Sequence, residues 1–166
     1  MRPTLVLAAA LLVTAGPLAQ ARPDFSGTWT YDAERSMEAQ HAAGKIVVAK
    51  MLGDRVMVAQ DAATLKFSIT FMGAQVLAEY KLDGSASTNI SSDGGKDVPV
   101  ISHVSWEGDK LIIMSTSTSD VKGAQVTIET KRVIWIDDKG GLIVDRSGTP
   151  LTEVTPSRSV YKKVVR

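Results

Sequence analysis

Apolar and polar residues alternate along much of this chain, and the alternation has a period of two. Its clearest run is Thr64-Leu65-Lys66-Phe67-Ser68-Ile69-Thr70-Phe71, which switches at every position without a fault. That pattern predicts an antiparallel strand with one face buried and the other wet. Comparable runs predict strands at 27–31, 45–50, 55–60, 75–82, 98–106, 110–116, 125–136, 142–146 and 158–165. Helical periodicity is nearly absent. Residues 32–44 are the exception, read as a lid-like loop or one or two helical turns with Ser36 as a candidate cap. Residues 85–97 are the most polar stretch and read as a long mobile loop holding at most a short frayed strand.

The connections are short and follow one grammar. A strand ends in an acidic-glycine turn and the next begins with apolar residues, as at Leu82-Asp83-Gly84, Trp106-Glu107-Gly108 and Asp138-Lys139-Gly140. About eight to ten strands joined this way make an up-and-down antiparallel meander. A meander of that length leaves two unpaired edges unless it closes. The expected fold class is therefore all-β, an up-and-down antiparallel β-barrel.

The first 21 residues do not fit the strand pattern. Arg2 precedes an apolar run from Thr4 to Ala15, Gly16-Pro17 breaks it, and Ala19-Gln20-Ala21 has the form of a cleavage site. This predicts a signal peptide over 1–21 and one domain over 22–166. The run is shorter than the roughly 20 apolar residues a membrane helix needs. No membrane span is expected after cleavage, and the expected localisation is secreted or periplasmic. The chain has no cysteine, so it is expected to hold its core without disulfides. Removing the leader takes away one basic residue, Arg2, and leaves 18 Lys and Arg against 18 Asp and Glu. A formally neutral chain has no bulk attraction for nucleic acid or acidic lipid, and Lys131-Arg132 and Lys162-Lys163 are too few to supply one.

Four segments carry a family likeness: Phe25-Ser26-Gly27-Thr28-Trp29 after the leader, the Trp106-Glu107-Gly108-Asp109-Lys110-Leu111 and Asp138-Lys139-Gly140-Gly141-Leu142 hairpins, and Arg158-Ser159-Val160-Tyr161-Lys162. Together they resemble exported lipocalin-like proteins of environmental bacteria, within the calycin superfamily. The resemblance implies a lipocalin-like barrel closed at one end by the Gly-x-Trp tryptophan, with a basic side chain from a late strand across its ring. On that basis Gly27 and Trp29 form the closure with Arg158, and Arg132 is the alternative arginine. Arg158 is favoured because ring closure sets the last strand beside the first. A guanidinium over a buried indole adds cation–π attraction to a large apolar area. The chain lacks the disulfide of secreted lipocalins and any clear C-terminal helix.

Residues that would carry catalysis are sparse. The histidines are His41 and His103, and with no cysteine neither has metal-ligand spacing around it. No Gly-x-Ser-x-Gly elbow is present. Asp137-Asp138 and Glu107/Asp109 fall in turns, where exposure argues against shifted acidity. Asp93-Gly94-Gly95-Lys96-Asp97 lacks the upstream glycine of a phosphate loop and the alternating ligands of a calcium loop. No catalytic residue, metal or cofactor is assigned. The remaining candidate is the barrel interior, lined by Tyr31, Met57, Phe67, Ile69, Tyr80, Val100, Met114 and Ile128. The same residues equally serve as packed core. The expected function is non-catalytic binding or sequestration of a small, mainly apolar ligand. The alternative is an envelope protein interaction module, with a filled barrel and functional loops at 32–44 and 85–97.

Overall fold

The alternation is realised as strands that pair with their sequence neighbours. The computed structural model describes residues 22–42, 50–71, 74–93, 95–150 and 156–165. The predicted signal peptide over 1–21, and the predicted strand at 45–50 save its last residue, lie outside the described residues. The elements are β1 (Gly27–Tyr31), α1 (Ala33–Ala42), β2 (Arg55–Gln60), β3 (Thr64–Phe71), β4 (Ala74–Lys81), β5 (Ser87–Asp93), β6 (Lys96–Glu107), β7 (Lys110–Val121), β8 (Ala124–Ile136), β9 (Leu142–Thr149) and β10 (Ser157–Lys163). All ten strands form one antiparallel sheet in the order β4-β3-β2-β1-β10-β9-β8-β7-β6-β5. The first and last strands pair, with Trp29 opposite Lys163 and Tyr31 opposite Tyr161. The result is a nearly closed up-and-down barrel, compatible with a lipocalin-like fold.

The break in the backbone ladder falls mid-chain, between β4 and β5. Side chains bridge it. The Glu79 amide donates to Asn89 Oδ1 at 2.8 Å, and Asn89 Nδ2 donates to the Glu79 carbonyl at 3.0 Å. Nearby, the Lys81 amide donates to Ser87 Oγ at 2.8 Å. An asparagine side chain carries the same donor and acceptor as a peptide unit, so it replaces a missing rung. Residues 85–97, expected as a loop, are therefore largely strand: β5 pairs with β6 from Ser87 opposite Ser102 to Asp93 opposite Lys96. They are polar because they serve the seam and a polar stretch of interior, and no apolar core needs them.

Residues 32–44 contain α1, and its cap is Asp32, not Ser36. The Arg35 amide donates to Asp32 Oδ1 at 3.1 Å, the contact an N-cap makes three residues on. Ser36 is buried inside the helix. Its hydroxyl donates to the Val160 carbonyl at 3.2 Å and accepts from the Val160 amide at 2.9 Å. These bonds fasten α1 to the outer face of β10.

The core fills the end of the barrel where β1 begins. Phe25 and Trp106 stack there, with ring centroids 6.0 Å apart and planes 3° from parallel. Trp29 is fully buried and its Nε1 donates to the Phe25 carbonyl at 2.9 Å. Gln60 straps the approach to β1: its Oε1 accepts from the Phe25 amide and its Nε2 donates to the Pro23 carbonyl, both at 3.0 Å. Leu52, just ahead of β2, also enters the core, and its amide donates to the Tyr161 hydroxyl at 2.7 Å. Burial pushes the Tyr161 phenol well above its ordinary range.

Candidate functional site

Along a strand, every second side chain faces the barrel interior. Followed from the closed end, those inward positions change chemistry at about the same level on several strands. On β7 they run Leu111, Ile113, then Ser115, Ser117 and Ser119; on β9 they run Leu142, Val144, then Arg146. On β8 they run Ile134, then Arg132, Thr130 and Ile128, and on β6 Val104 is followed by Ser102. Ser102 and Ser115 mark the boundary, both buried, with hydroxyl oxygens 2.8 Å apart. Beyond them lies a cavity of about 320 Å³. Its lining mixes Val98, Val100 and Ile128 with Ser91, Ser92, Ser117, Ser119, Thr130, Arg132 and Arg146. That volume is at the small end of ligand pockets.

Two guanidiniums dominate its electrostatics. Arg132 and Arg146 sit directly opposite each other on β8 and β9. Arg132 Nη1 donates to the Tyr80 hydroxyl at 3.0 Å. Tyr80 belongs to β4 and is buried, so this bond crosses the barrel interior. Burial, and then the charge of Arg132, lower the pKa of the partly buried Arg146 from its ordinary value. Among the described residues no carboxylate pairs with either guanidinium. Arg158 is the contrast. Its Nε and Nη2 both donate to Asp145 at 2.6 Å, and that bond raises its pKa.

The cavity takes in some of the residues expected from sequence and not others. Val100 and Ile128 line it. Tyr80 is not part of its lining and meets it only through the hydroxyl that accepts from Arg132, its ring edge-on to the buried Phe67 at 5.9 Å. Ile69 and Tyr31 pack against the core instead, Tyr31 edge-on to Tyr161 at 5.7 Å. Met57 and Met114 face outward and are 54% and 45% exposed. Their flanking residues, Val56 and Val58 for one and Ile113 and Ser115 for the other, take the inward positions. No sequence expectation falls on Arg146, and none places Arg132 in the interior: it enters as a surface basic residue beside Lys131 and as the alternative partner for Trp29. Both were findable by extending the inward alternation: Leu142-x-Val144-x-Arg146, and Ile128-x-Thr130-x-Arg132-x-Ile134.

Trp29 is buried in the packed end of the barrel, and the cation on its ring is Lys163, not Arg158, with Nζ 5.3 Å from its centroid. Arg158 lies 5.3 Å over Trp135 instead. The reason is register: Lys163 is directly opposite Trp29 and shares the inward phase of Tyr161, whereas Arg158 is out of phase with it. Gly27 has φ +133°, and a Cβ built there would lie 2.7 Å from Lys163 Cε. A glycine lets the lysine stem pass across β1 onto the indole.

A second concavity, about 360 Å³, lies outside the barrel between α1 and the outer faces of β8 to β10, with Trp135, Ile143 and Val160 among its lining. Both arginines in its lining are already neutralised, Arg35 by Asp137 and Arg158 by Asp145. His103 is exposed, with Nδ1 3.1 Å from the Gly84 carbonyl. Among the described residues no three His, Cys, Asp or Glu side chains are grouped to hold a metal, and no helix is long and apolar enough to cross a membrane. Compared with known proteins, the chain matches no protein-family model and no curated protein.

Proposed function

We propose that this is an exported, non-catalytic barrel protein that binds a small molecule within its interior, as a member of the lipocalin-like calycins its motifs resemble. The observation that carries the reading is the division of the interior. One half is solid with Phe25, Trp29, Phe67, Leu111, Ile113 and Tyr161, while the other keeps a cavity lined by hydroxyls and guanidiniums. A barrel built only as a scaffold gains nothing from polar side chains turned inward, because each costs desolvation that an apolar residue does not. Export rests on the leader sequence at 1–21. The mainly apolar ligand expected from sequence gives way here to a more polar one, since Val98, Val100 and Ile128 supply the apolar part of the lining and polar residues the rest. Loop-mediated docking to an envelope partner is the weaker reading, because half of its basis, residues 85–97, is the paired strand β5.

Native mass spectrometry of gently purified mature protein tests this. The expected result is a discrete extra mass that denaturation releases. Repeatedly clean spectra, together with no binding of amphiphilic fluorescent probes, would contradict it.

A further inference from the structure

We infer that the Arg132–Arg146 pair is an anion-recognition site, and that the ligand is a compact organic anion, a carboxylate or phosphate ester on a hydroxyl-bearing body. The inference rests on the interior-binding reading above and gives that ligand its chemistry.

Like charges directly opposite on neighbouring strands oppose folding. Here the pair, Arg132 facing Arg146, is turned into the barrel, where a lower dielectric and weaker screening sharpen the repulsion. A structural role would explain the arrangement only if something answered the charge, and among the described residues no carboxylate does. Packing does not require it either. The inward neighbours Ile134 and Val144, one step toward the closed end, are apolar and fully buried. The other partly buried arginines among the described residues each have a carboxylate, Arg35 with Asp137 and Arg158 with Asp145.

One member of the pair is also held in place. The Tyr80 hydroxyl accepts from Arg132 Nη1 and anchors that side chain across the barrel, while a guanidinium has five donors, so most remain for a ligand. Two guanidinium forks side by side suit the oxygens of a carboxylate or phosphate, which each can grip in bidentate fashion. An anion between them would convert mutual repulsion into two charge-assisted contacts. Ser117 and Thr130 bring hydroxyls to the same cavity, and Val100 and Ile128 supply a small apolar wall. That lining fits a short polar body better than a long acyl chain.

Isothermal titration of the mature protein with glucose 6-phosphate, gluconate and glucose tests the inference. At least one of the two anions should bind, glucose should bind about tenfold more weakly or not at all, and whichever anion binds identifies the head group. Arg146→Gln should weaken the anion by about tenfold or more, the scale of losing a charge-assisted hydrogen bond. Arg146→Lys should fall between, keeping the charge without the fork. The same Arg146→Gln protein should unfold at an unchanged or higher temperature, since the substitution relieves repulsion. Glucose binding as well as the anions, neither anion binding, or Arg146→Gln leaving anion affinity intact would each overturn the inference. A lower unfolding temperature for Arg146→Gln would overturn it too, by showing a structural arginine. Cargo seen by native mass spectrometry would leave the interior-binding reading standing in each of those cases.

Discussion

Trp29 and Trp135 each carry a cation on the ring, yet they have different work. Trp29 is only 1% exposed and closes the packed end, with Lys163 across it. Trp135 sits on the outer face between Lys110 at 5.0 Å and Arg158 at 5.3 Å. Burial should decide the energetics at Trp29, because the ring is buried whereas Lys163 is exposed, and a cation–π contact from an exposed cation adds little. Trp29→Ala is expected to lower unfolding free energy by about 3–5 kcal/mol, the range for a large core truncation. Lys163→Ala should cost under about 1 kcal/mol. Denaturant unfolding of the two variants checks both, and a Trp29→Ala loss smaller than that of Lys163→Ala would refute the assignment. At this scale Gly27 and Trp29 were legible, since the motif opens the first strand and its glycine has a conformational reason. The cation was not, because Arg158 and Lys163 both lie on β10 and only the register with Trp29 tells them apart. Met57 and Met114 were misplaced for the same reason: one step of phase turns an interior residue outward.

Among the described elements, the alternating strands are legible because their apolar face has a core to meet. β5 was not. Its side chains are Ser87, Thr88, Asn89, Ile90, Ser91, Ser92 and Asp93, a composition that signals a loop unless the sheet needs hydroxyls and an amide at its seam. Asn89 makes the seam testable. Its two hydrogen bonds to the Glu79 backbone replace a ladder rung, and net gains near 0.5–1.5 kcal/mol per bond put the pair at about 1–3 kcal/mol. Asn89→Ala should speed hydrogen exchange at the Glu79 amide while leaving the Leu111 amide, deep in the ladder on β7, unchanged. Equal acceleration at both would mean that the variant destabilises the whole barrel and that the seam is no separate unit. Equal protection at both would mean that β4 and β5 are held by something other than Asn89. α1 shows a second limit of the sequence. Ser36 had the composition of a cap, but burial against Val160 gives it a tertiary task and leaves capping to Asp32.

Across the whole molecule, closure and polarity were unequally visible. An all-β meander with no room for exposed edges implies a barrel from its pattern alone. The cavity does not follow from pattern, because it depends on contacts between distant strands. Arg132 and Tyr80 are 52 positions apart and meet only once the barrel closes. Arg146 is likewise an unremarkable residue at a strand's end until the pairing of β8 with β9 puts it against Arg132. The barrel is packed at one end, and the guest proposed for the cavity in its other half is a charged one. Amide chemical-shift mapping of the 22–166 protein during titration with glucose 6-phosphate and gluconate tests that claim most directly. The expected shifts are concentrated at Val100, Ser117, Thr130, Arg132 and Arg146, with Trp29 unmoved. Shifts gathered instead at Trp135, Ile143 and Val160 on the outer face would contradict it.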